Sequence, residues 1–322
     1  MSSEKVKDLI DQSQTLCDQQ KFDDAVQCLN EAIQIDPANA EAWSLKGYIL
    51  CMKSDFQNGL ECEDKAIQLN PRVPVPWIIK GKAYFQQRMY QKSLESFNQA
   101  IALYPNEAES WSYKAFLEYF IATPEEALKS AERAVELNPK DSSSWMVRGK
   151  ICRVRENFHE ALLSFETIIE LNPSNVEAWI EKGKVYGLDE KTEESIRCFD
   201  QATKLEPRNK EAWRYLGYAY LFDSQYSEAI RCFDQAIQID PKYLAPLIEK
   251  GIALRYLGKI SESLNSIDQA LAIDIKNEYA WTEKGHTYEY AGETTGAIKC
   301  YKRALAINPN NQHLQKILDD LK

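Results

Sequence analysis

The tryptophans of this chain recur at a step of 34 residues. Six of the seven are one step apart, and the last is two steps beyond the sixth, with Leu247 in the intervening slot. They are Trp43, Trp77, Trp111, Trp145, Trp179, Trp213 and Trp281. A bulky apolar side chain at a constant step indicates one small supersecondary unit copied along the chain, each copy burying its tryptophan against a neighbour. The pattern therefore predicts a solenoid.

Three further columns keep this register when the tryptophan is counted as position 4 of a 34-residue repeat. Position 8 is Gly47, Gly81, Ala115, Gly149, Gly183, Gly217, Gly251 and Gly285. Position 27 is alanine in every repeat but one, and position 32 is proline in every repeat but one. Nine repeats without insertion or deletion are predicted over residues 6–311, starting at residues 6, 40, 74, 108, 142, 176, 210, 244 and 278. The first is a weaker copy, with Leu9 and Ser13 at positions 4 and 8.

Each repeat is predicted to form two helices, because apolar and small residues recur at steps of three or four within each half. Position 34 offers a side-chain oxygen that can cap the next helix. It is Asn39, Asp141, Asn175, Asn209, Asn277 and Asn311 in six repeats. The proline at position 32 separates one helix pair from the next. The fold class is therefore all-α, organised as one continuous array.

The tryptophan, glycine, aromatic, alanine and proline columns resemble the tetratricopeptide repeat (TPR). The resemblance covers 306 of the 322 residues. It implies a right-handed α-solenoid superhelix of helix-turn-helix repeats, in which the first helix of each pair lines a concave groove. One column departs from the family, which usually has leucine at position 7. Here position 7 is Lys46, Lys80, Lys114, Arg148, Lys182, Lys250 and Lys284 in seven repeats. We expect their stems to pack beside the tryptophans, with each charge reaching solvent or a carboxylate such as a first-turn glutamate; the alternative is a ladder of cations for an anionic ligand.

The resemblance implies that positions 2, 5, 9 and 12 face the groove, and these columns vary along the chain. They predict an aromatic and apolar stretch in the second to fourth repeats: Tyr48, Ile78, Phe85, Phe116 and Tyr119. They also predict a cationic stretch in the fifth to seventh repeats: Lys150, Arg153, Lys184 and Arg214. Lys82 and Tyr218 complete the candidate site. An extended peptide with bulky residues followed by acidic ones would match both stretches, since aromatics and arginine often dominate interface energetics. These side chains could instead pack on the next repeat.

Composition favours a soluble cytoplasmic protein. The net charge of −10 argues against nonspecific attraction to nucleic acid or anionic membrane. No apolar run approaches a membrane span, and residues 1–10 lack a signal core. Five of the eight cysteines occupy position 23, and none forms a pair with metal-ligand spacing, so neither a metal nor a disulfide is expected. Cys17 and Cys51, at position 12, are either small apolar fillers or thiols exposed in the groove.

The sequence shows no catalytic constellation. The three histidines lie on different repeats, and the glycines are isolated rather than grouped in a phosphate-binding loop. We therefore expect a non-enzyme without a cofactor: a protein-protein interaction scaffold. The alternative is a structural module that self-associates through its ends or its convex face. Members of the family that grip the C-terminal carboxylate of chaperones carry Lys at position 5 and Asn at position 9, and no repeat here has either residue.

Two further segments carry expectations. In the fourth repeat, Ala115 and Ala131 replace the usual glycine and aromatic, which indicates either drift compensated by packing or a local opening of the groove beside Phe120. A capping box with proline at the first helical position, at residues 123–126, should start its second helix cleanly. Residues 312–322 place leucines and an isoleucine on one helical face, which predicts a C-terminal helix that seals the last repeat.

Overall fold

A computed structural model describes residues 2–121 and 123–321. The chain divides into two compact units, an N-terminal unit, Met1–Glu156, and a C-terminal unit, Asn157–Lys322. The described residues form 19 α-helices and no strands. None of these helices is both long and apolar enough to cross a membrane.

The helices of the N-terminal unit alternate between first and second helices of successive repeats. They are α1 Ser2–Asp18, α2 Phe22–Ile35, α3 Ala40–Met52, α4 Phe56–Leu69, α5 Val75–Gln86, α6 Tyr90–Leu103, α7 Ala108–Ile121, α8 Pro124–Leu137 and α9 Ser142–Val154. Those of the C-terminal unit are α10 Phe158–Leu171, α11 Val176–Leu188, α12 Thr192–Leu205, α13 Lys210–Phe222, α14 Tyr226–Ile239, α15 Leu244–Tyr256, α16 Ile260–Ile273, α17 Glu278–Tyr290, α18 Thr294–Ile307 and α19 Gln312–Asp320.

The predicted helix caps are confirmed. All six asparagine or aspartate side chains at position 34 accept a hydrogen bond from a backbone N–H in the first turn of the next helix. Thr123 and Glu126 form the predicted capping box at the start of α8. Each accepted N–H is one that the helix itself leaves unpaired, so the cap both stabilises the helix and fixes where it begins.

The turn between the two helices of a repeat is equally regular. Position 15 adopts a left-handed backbone conformation wherever it is described: Gln20, Ser54, Arg88, Glu156, Glu190, Ser224, Gly258 and Gly292. Only the last two are glycines, the residue that occupies this region without a steric penalty. The other turns are therefore held by the packing of the helices they join.

Position 24, on the second helix, carries the most deeply buried large side chains. Leu29, Phe97, Phe165, Phe233, Ile267 and Tyr301 have no exposed surface. Within a repeat, this side chain lies against the glycine at position 8: a Cβ added to Gly217 would stand 2.7 Å from a ring carbon of Phe233. In the fourth repeat Ala115 replaces the glycine at position 8 and Ala131 replaces the large side chain at position 24, and both are fully buried. The added methyl group of Ala115 is therefore accompanied by a smaller side chain opposite it, which supports the interpretation that packing compensates the drift.

The tryptophans are only partly buried, so the prediction that each copy buries its tryptophan overstated how deeply these side chains lie in the protein. Six of the seven indole N–H groups donate to the backbone carbonyl six residues earlier, as Trp179 does to Pro173 at 3.0 Å. The position 7 cation lies over the ring, with Lys182 Nζ 5.7 Å from the Trp179 ring centroid. In these six repeats the tryptophan thus connects the first helix to the preceding turn, while one ring face stays near the surface.

The position 7 cations pack against protein, as expected, and do not form a ladder open to an anion. Lys80, Lys182, Lys250 and Lys284 each form an ion pair. Their partners lie 16 residues earlier, at position 25 of the preceding second helix, as in the 3.0 Å contact between Lys182 and Glu166. For these four lysines the suggested first-turn glutamates are therefore not the partners.

The last helix, α19, covers the end of the C-terminal unit. Its Leu314 and Leu318 are buried against Ala297, Tyr301 and Ala304 of α18. The exposed end of the last repeat is thereby shielded from solvent.

Candidate protein-interaction groove

The N-terminal unit contains a cavity of about 710 Å³ beside the first helices of the second and third repeats. Its apolar walls come from Leu45, Tyr48, Val73, Val75, Pro76, Ile78 and Ile79, and its polar rim from Gln14, Glu41, Ser44, Asn70, Lys82 and Glu109. Three predicted site residues, Tyr48, Ile78 and Lys82, are therefore brought together here. The volume falls within the range of about 300–1,000 Å³ that is usual for ligand pockets.

A second cavity, of about 470 Å³, adjoins the first because Glu109 lines both. Two predicted residues, Phe85 and Phe116, form its aromatic wall together with Tyr113. The Phe85 ring meets the Phe116 and Tyr113 rings edge-on, at centroid distances of 5.4 and 5.5 Å. Edge-to-face contacts of this kind hold the rings in fixed orientations. The surface on offer is therefore largely organised before a ligand arrives.

The aromatic surface extends from this wall to the end of α7. The Phe120 ring lies 4.9 Å from Phe116 and 5.1 Å from the predicted site residue Tyr119, measured between centroids. Phe116 is 37% exposed and Phe120 62% exposed. Aromatic rings so exposed on a folded surface are candidates for contact with another protein.

The charges at the junction of the two cavities are paired. Lys82 Nζ lies 2.6 Å from Glu109 and 6.0 Å from the Tyr113 ring centroid. Asp141 accepts a hydrogen bond from the Ser112 hydroxyl at 2.9 Å while it caps α9. The rim therefore presents carboxylates more than cations, and a ligand can meet them with backbone or side-chain N–H donors.

A buried carboxyl group, Glu63, lies behind the larger cavity. Ser44, on the cavity wall, donates a hydrogen bond of 2.8 Å to one of its oxygens, and the other oxygen has no hydrogen-bond partner among the described residues. Glu63 has no exposed surface, and this desolvation raises the pKa of its carboxyl group to about 9. At neutral pH the side chain is therefore protonated. Sequence reasoning missed it, although an acidic residue in the large apolar column at position 24 was the visible signal.

The predicted cations of the C-terminal unit are bound in ion pairs. Lys184 contacts Glu181 at 2.8 Å and lies 4.5 Å from the Tyr215 ring centroid. Arg214 binds both carboxylate oxygens of Glu249, at distances of 2.5–3.0 Å. Burial alone would lower the pKa of Arg214, but the hydrogen bonds and charge of Glu249 raise it, so the arginine stays charged. Both carboxylates occupy position 6, a column that the groove prediction left out.

The remaining predicted residues are placed as follows. Lys150 and Arg153 are half-buried on α9 of the N-terminal unit. Tyr218 is 52% exposed on α13 of the C-terminal unit. Cys51 is buried against Ile79 and Ala83, and burial raises the pKa of its thiol to about 12, which confirms its role as a small apolar filler. Among residues 2–121 and 123–321 no group of three or more His, Cys, Asp or Glu side chains could hold a metal ion.

Five sequence models of the tetratricopeptide repeat match this chain. The matched residues are 14–53, 74–107, 123–175, 176–209, 211–243 and 278–311. The chain belongs to the tetratricopeptide repeat family. A search of curated protein sequences found no match.

Solved structures share the fold at low sequence identity. YrrB, described as a TPR protein with an unusual peptide-binding site, is 22% identical over 57% of this chain and 95% of its own, with a TM-score of 0.53. The Cut9–Hcn1 heterotetramer of the APC/C matches 97% of this chain and 75% of its own at 14% identity and a TM-score of 0.60. PilF of Pseudomonas aeruginosa matches 64% and 94% at 16% identity and a TM-score of 0.58.

Proposed function

We propose that this TPR protein is a non-catalytic scaffold that binds a peptide segment of another protein in the groove of its N-terminal unit. The observation that carries the proposal is the pair of adjoining cavities, which share Glu109 and are walled by first helices. Together they offer a pocket for bulky side chains, an aromatic wall and a rim of acceptors. YrrB, a TPR protein described as having a peptide-binding site, gives a precedent on the same fold.

The proposed ligand is an extended segment with bulky apolar residues for the larger cavity and an aromatic or aliphatic residue against Phe85 and Phe116. An acidic residue beyond them would meet Lys150 and Arg153. Lys184 and Arg214 belong to the C-terminal unit, where Glu181 and Glu249 hold them in ion pairs, and they are not part of the proposed groove. None of the eight cysteines forms a disulfide in the described residues, which suits a reducing compartment, so we place this scaffold in the cytoplasm.

A peptide selection with matched variants tests the proposal. Peptides would be selected from a random displayed library against the full chain, and their affinities measured by fluorescence anisotropy. Tyr48→Ala and Phe116→Ala remove side chains that are 38% and 37% exposed, so neither should unfold the protein. Each should weaken binding of the selected peptides by about tenfold or more, as central aromatic contacts do.

The control is Tyr104→Ala, which removes a tyrosine that is 52% exposed in the same unit and lines neither cavity. It should leave these affinities unchanged. Selected peptides that bind the Tyr48 and Phe116 variants as tightly as the original chain would refute the groove proposal.

A further inference from the structure

The C-terminal unit exposes a large apolar side chain at the end of four successive first helices. Leu188, Phe222, Tyr256 and Tyr290 are the last residues of α11, α13, α15 and α17, and all four occupy position 13. Their exposed fractions are 54%, 66%, 50% and 57%. We call these four residues the apolar edge. Such residues usually pack inward or are replaced by polar ones, so a row of four on one edge marks a surface for an interaction.

Neighbouring contacts fix part of this edge. The Tyr256 ring stacks on the Tyr226 ring, with centroids 5.2 Å apart and planes 12° apart. The guanidinium carbon of Arg255 also lies 5.4 Å from the Tyr256 ring centroid. A ring held in place loses less conformational freedom when a partner binds, which favours affinity.

The turns that flank the apolar edge are strongly acidic. The four seven-residue segments that start at the edge residues, 188–194, 222–228, 256–262 and 290–296, hold eight acidic residues and two lysines, a net charge of −6. Both lysines already pair within these segments, Lys191 with Asp189 at 2.7 Å and Lys259 with Glu262 at 3.5 Å. Arg197, which lies outside these segments, also pairs with Glu193 and Glu194, at 3.8 and 3.5 Å. A partner that covers the apolar edge therefore meets a net negative charge.

The N-terminal unit provides an internal comparison. Four segments in the same register lie wholly within it, 18–24, 52–58, 86–92 and 120–126, and their net charge is only −2. The row of apolar residues is also broken there, because position 13 is Asp18 in the first repeat and Gln86 in the third. The fifth first helix of the N-terminal unit, α9, also ends in an exposed apolar residue, Val154, at 57%. An unbroken row of four such residues beside a net charge of −6 nevertheless occurs in the C-terminal unit and not in the N-terminal unit.

We propose that the apolar edge binds a basic amphipathic helix of a partner protein. Adjacent packed helices are about 10 Å apart, which sets the step between successive edge residues. A helix advances about that distance in seven residues, so one apolar residue per heptad can follow the edge while lysines or arginines meet the acidic turns. An extended strand matches less well, because it covers about the same distance in three residues. Since its side chains alternate between two faces, every second contact would then point away from the edge.

The charge also disfavours two other occupants of the apolar edge, a second copy of this chain and an anionic bilayer. A second copy of this chain would place −6 against −6 if the same edges met, and like charges across an interface oppose association. An anionic bilayer would be repelled in the same way. A cationic helix gains from both the apolar and the electrostatic contacts.

The test uses a labelled model helix of about 24 residues with leucine at the first and fourth positions of each heptad and lysine at most others. A second helix has glutamate in place of every lysine. Fluorescence anisotropy with the full chain at about 0.15 M salt should show at least about tenfold tighter binding of the lysine helix. Phe222→Ser with Tyr256→Ser should weaken the binding of the lysine helix by about tenfold or more, because both removed side chains belong to the edge.

The matched control is Met52→Ser with Tyr104→Ser, which removes two side chains of the N-terminal unit that are 50% and 52% exposed and that line neither cavity. This control should leave the affinity for the lysine helix unchanged, and circular dichroism should show that both double variants stay folded. Equal affinity of the original chain and the Phe222/Tyr256 variant would overturn the proposal, as would equal weakening by the control. Concentration-dependent sedimentation that only the Phe222/Tyr256 variant abolishes would instead assign the edge to a second copy. The groove is tested separately with Tyr48→Ala, so either proposal can fail alone.

Discussion

The buried carboxyl group of Glu63 should make the stability of the N-terminal unit fall as the pH rises. Its pKa is raised from 4.5 to about 9 in the folded protein, where burial disfavours the charged form. Between these two values the folded state holds a proton that the unfolded state has released. Stability from this group is therefore complete below pH 4.5 and is lost progressively as the pH approaches 9.

Each pH unit in this range is worth up to about 1.4 kcal/mol, so the loss between pH 5 and pH 8 is at most about 4 kcal/mol. Glu63→Gln removes the titration and retains a side-chain oxygen that can accept the Ser44 hydroxyl. The variant should match the original chain near pH 4 and exceed its stability at pH 8. The thiols of Cys51 and Cys62, with pKa values raised to about 12 and 11 by burial, ionise above this range.

Urea unfolding followed by circular dichroism at a series of pH values would measure the slope, and hydrogen exchange of the α4 amides would locate it, because repeats can open locally. Glu61→Gln, on the exposed side of the same helix, is the matched control and should keep the slope of the original chain. If the original chain and the Glu63→Gln variant show the same pH dependence, Glu63 is ionised in the fold and the reasoning is refuted.

The remaining predictions concern contacts within the seventh repeat and one contact from it to the eighth, all measured by urea unfolding. Gly217→Ala should lower the free energy of unfolding by about 1–3 kcal/mol through overpacking against Phe233, and Phe233→Ala should lower it by about 3–5 kcal/mol. The double variant should lose less than the sum of the two, and strict additivity would show that these residues are not in contact. Trp213→Ala should cost only about 2 kcal/mol, for half an indole and one hydrogen bond; a loss as large as that of Phe233→Ala would show that the tryptophan is core. Glu249→Gln should cost about 3 kcal/mol or more by leaving Arg214 without its carboxylate, and a neutral result would show that the pair is not desolvated.

The repeat architecture was predictable because its signals are local. Turn chemistry, helix periodicity and caps act within a few residues, so Asn175 predicts the start of α11 and Pro173 the break before it. The two-helix repeat follows from such columns without knowledge of distant contacts. Tyr48 and Phe116 were candidates because the resemblance to the tetratricopeptide repeat implies that position 9 faces the groove, and each lines a cavity in the structure.

Columns did not reveal how deeply a residue is buried or which charges are paired. The tryptophan column looked like the core, yet the core is position 24, because burial depends on what the neighbouring helices bring against each side chain. Glu181 and Glu249 reach Lys184 and Arg214 only when the first helices lie side by side. The pattern within one column of the repeat does not show which residue of another column will lie beside it in the folded protein.

The sequence by itself determined that this chain is a tetratricopeptide array of paired helices, because a repeated local pattern is complete within each copy. Only the tertiary structure decided which surfaces are available. It placed Glu63 in the core, neutralised two predicted cations and left Leu188, Phe222, Tyr256 and Tyr290 exposed on one edge. Burial and charge pairing are properties of several helices together, and they take a value only when those helices are packed.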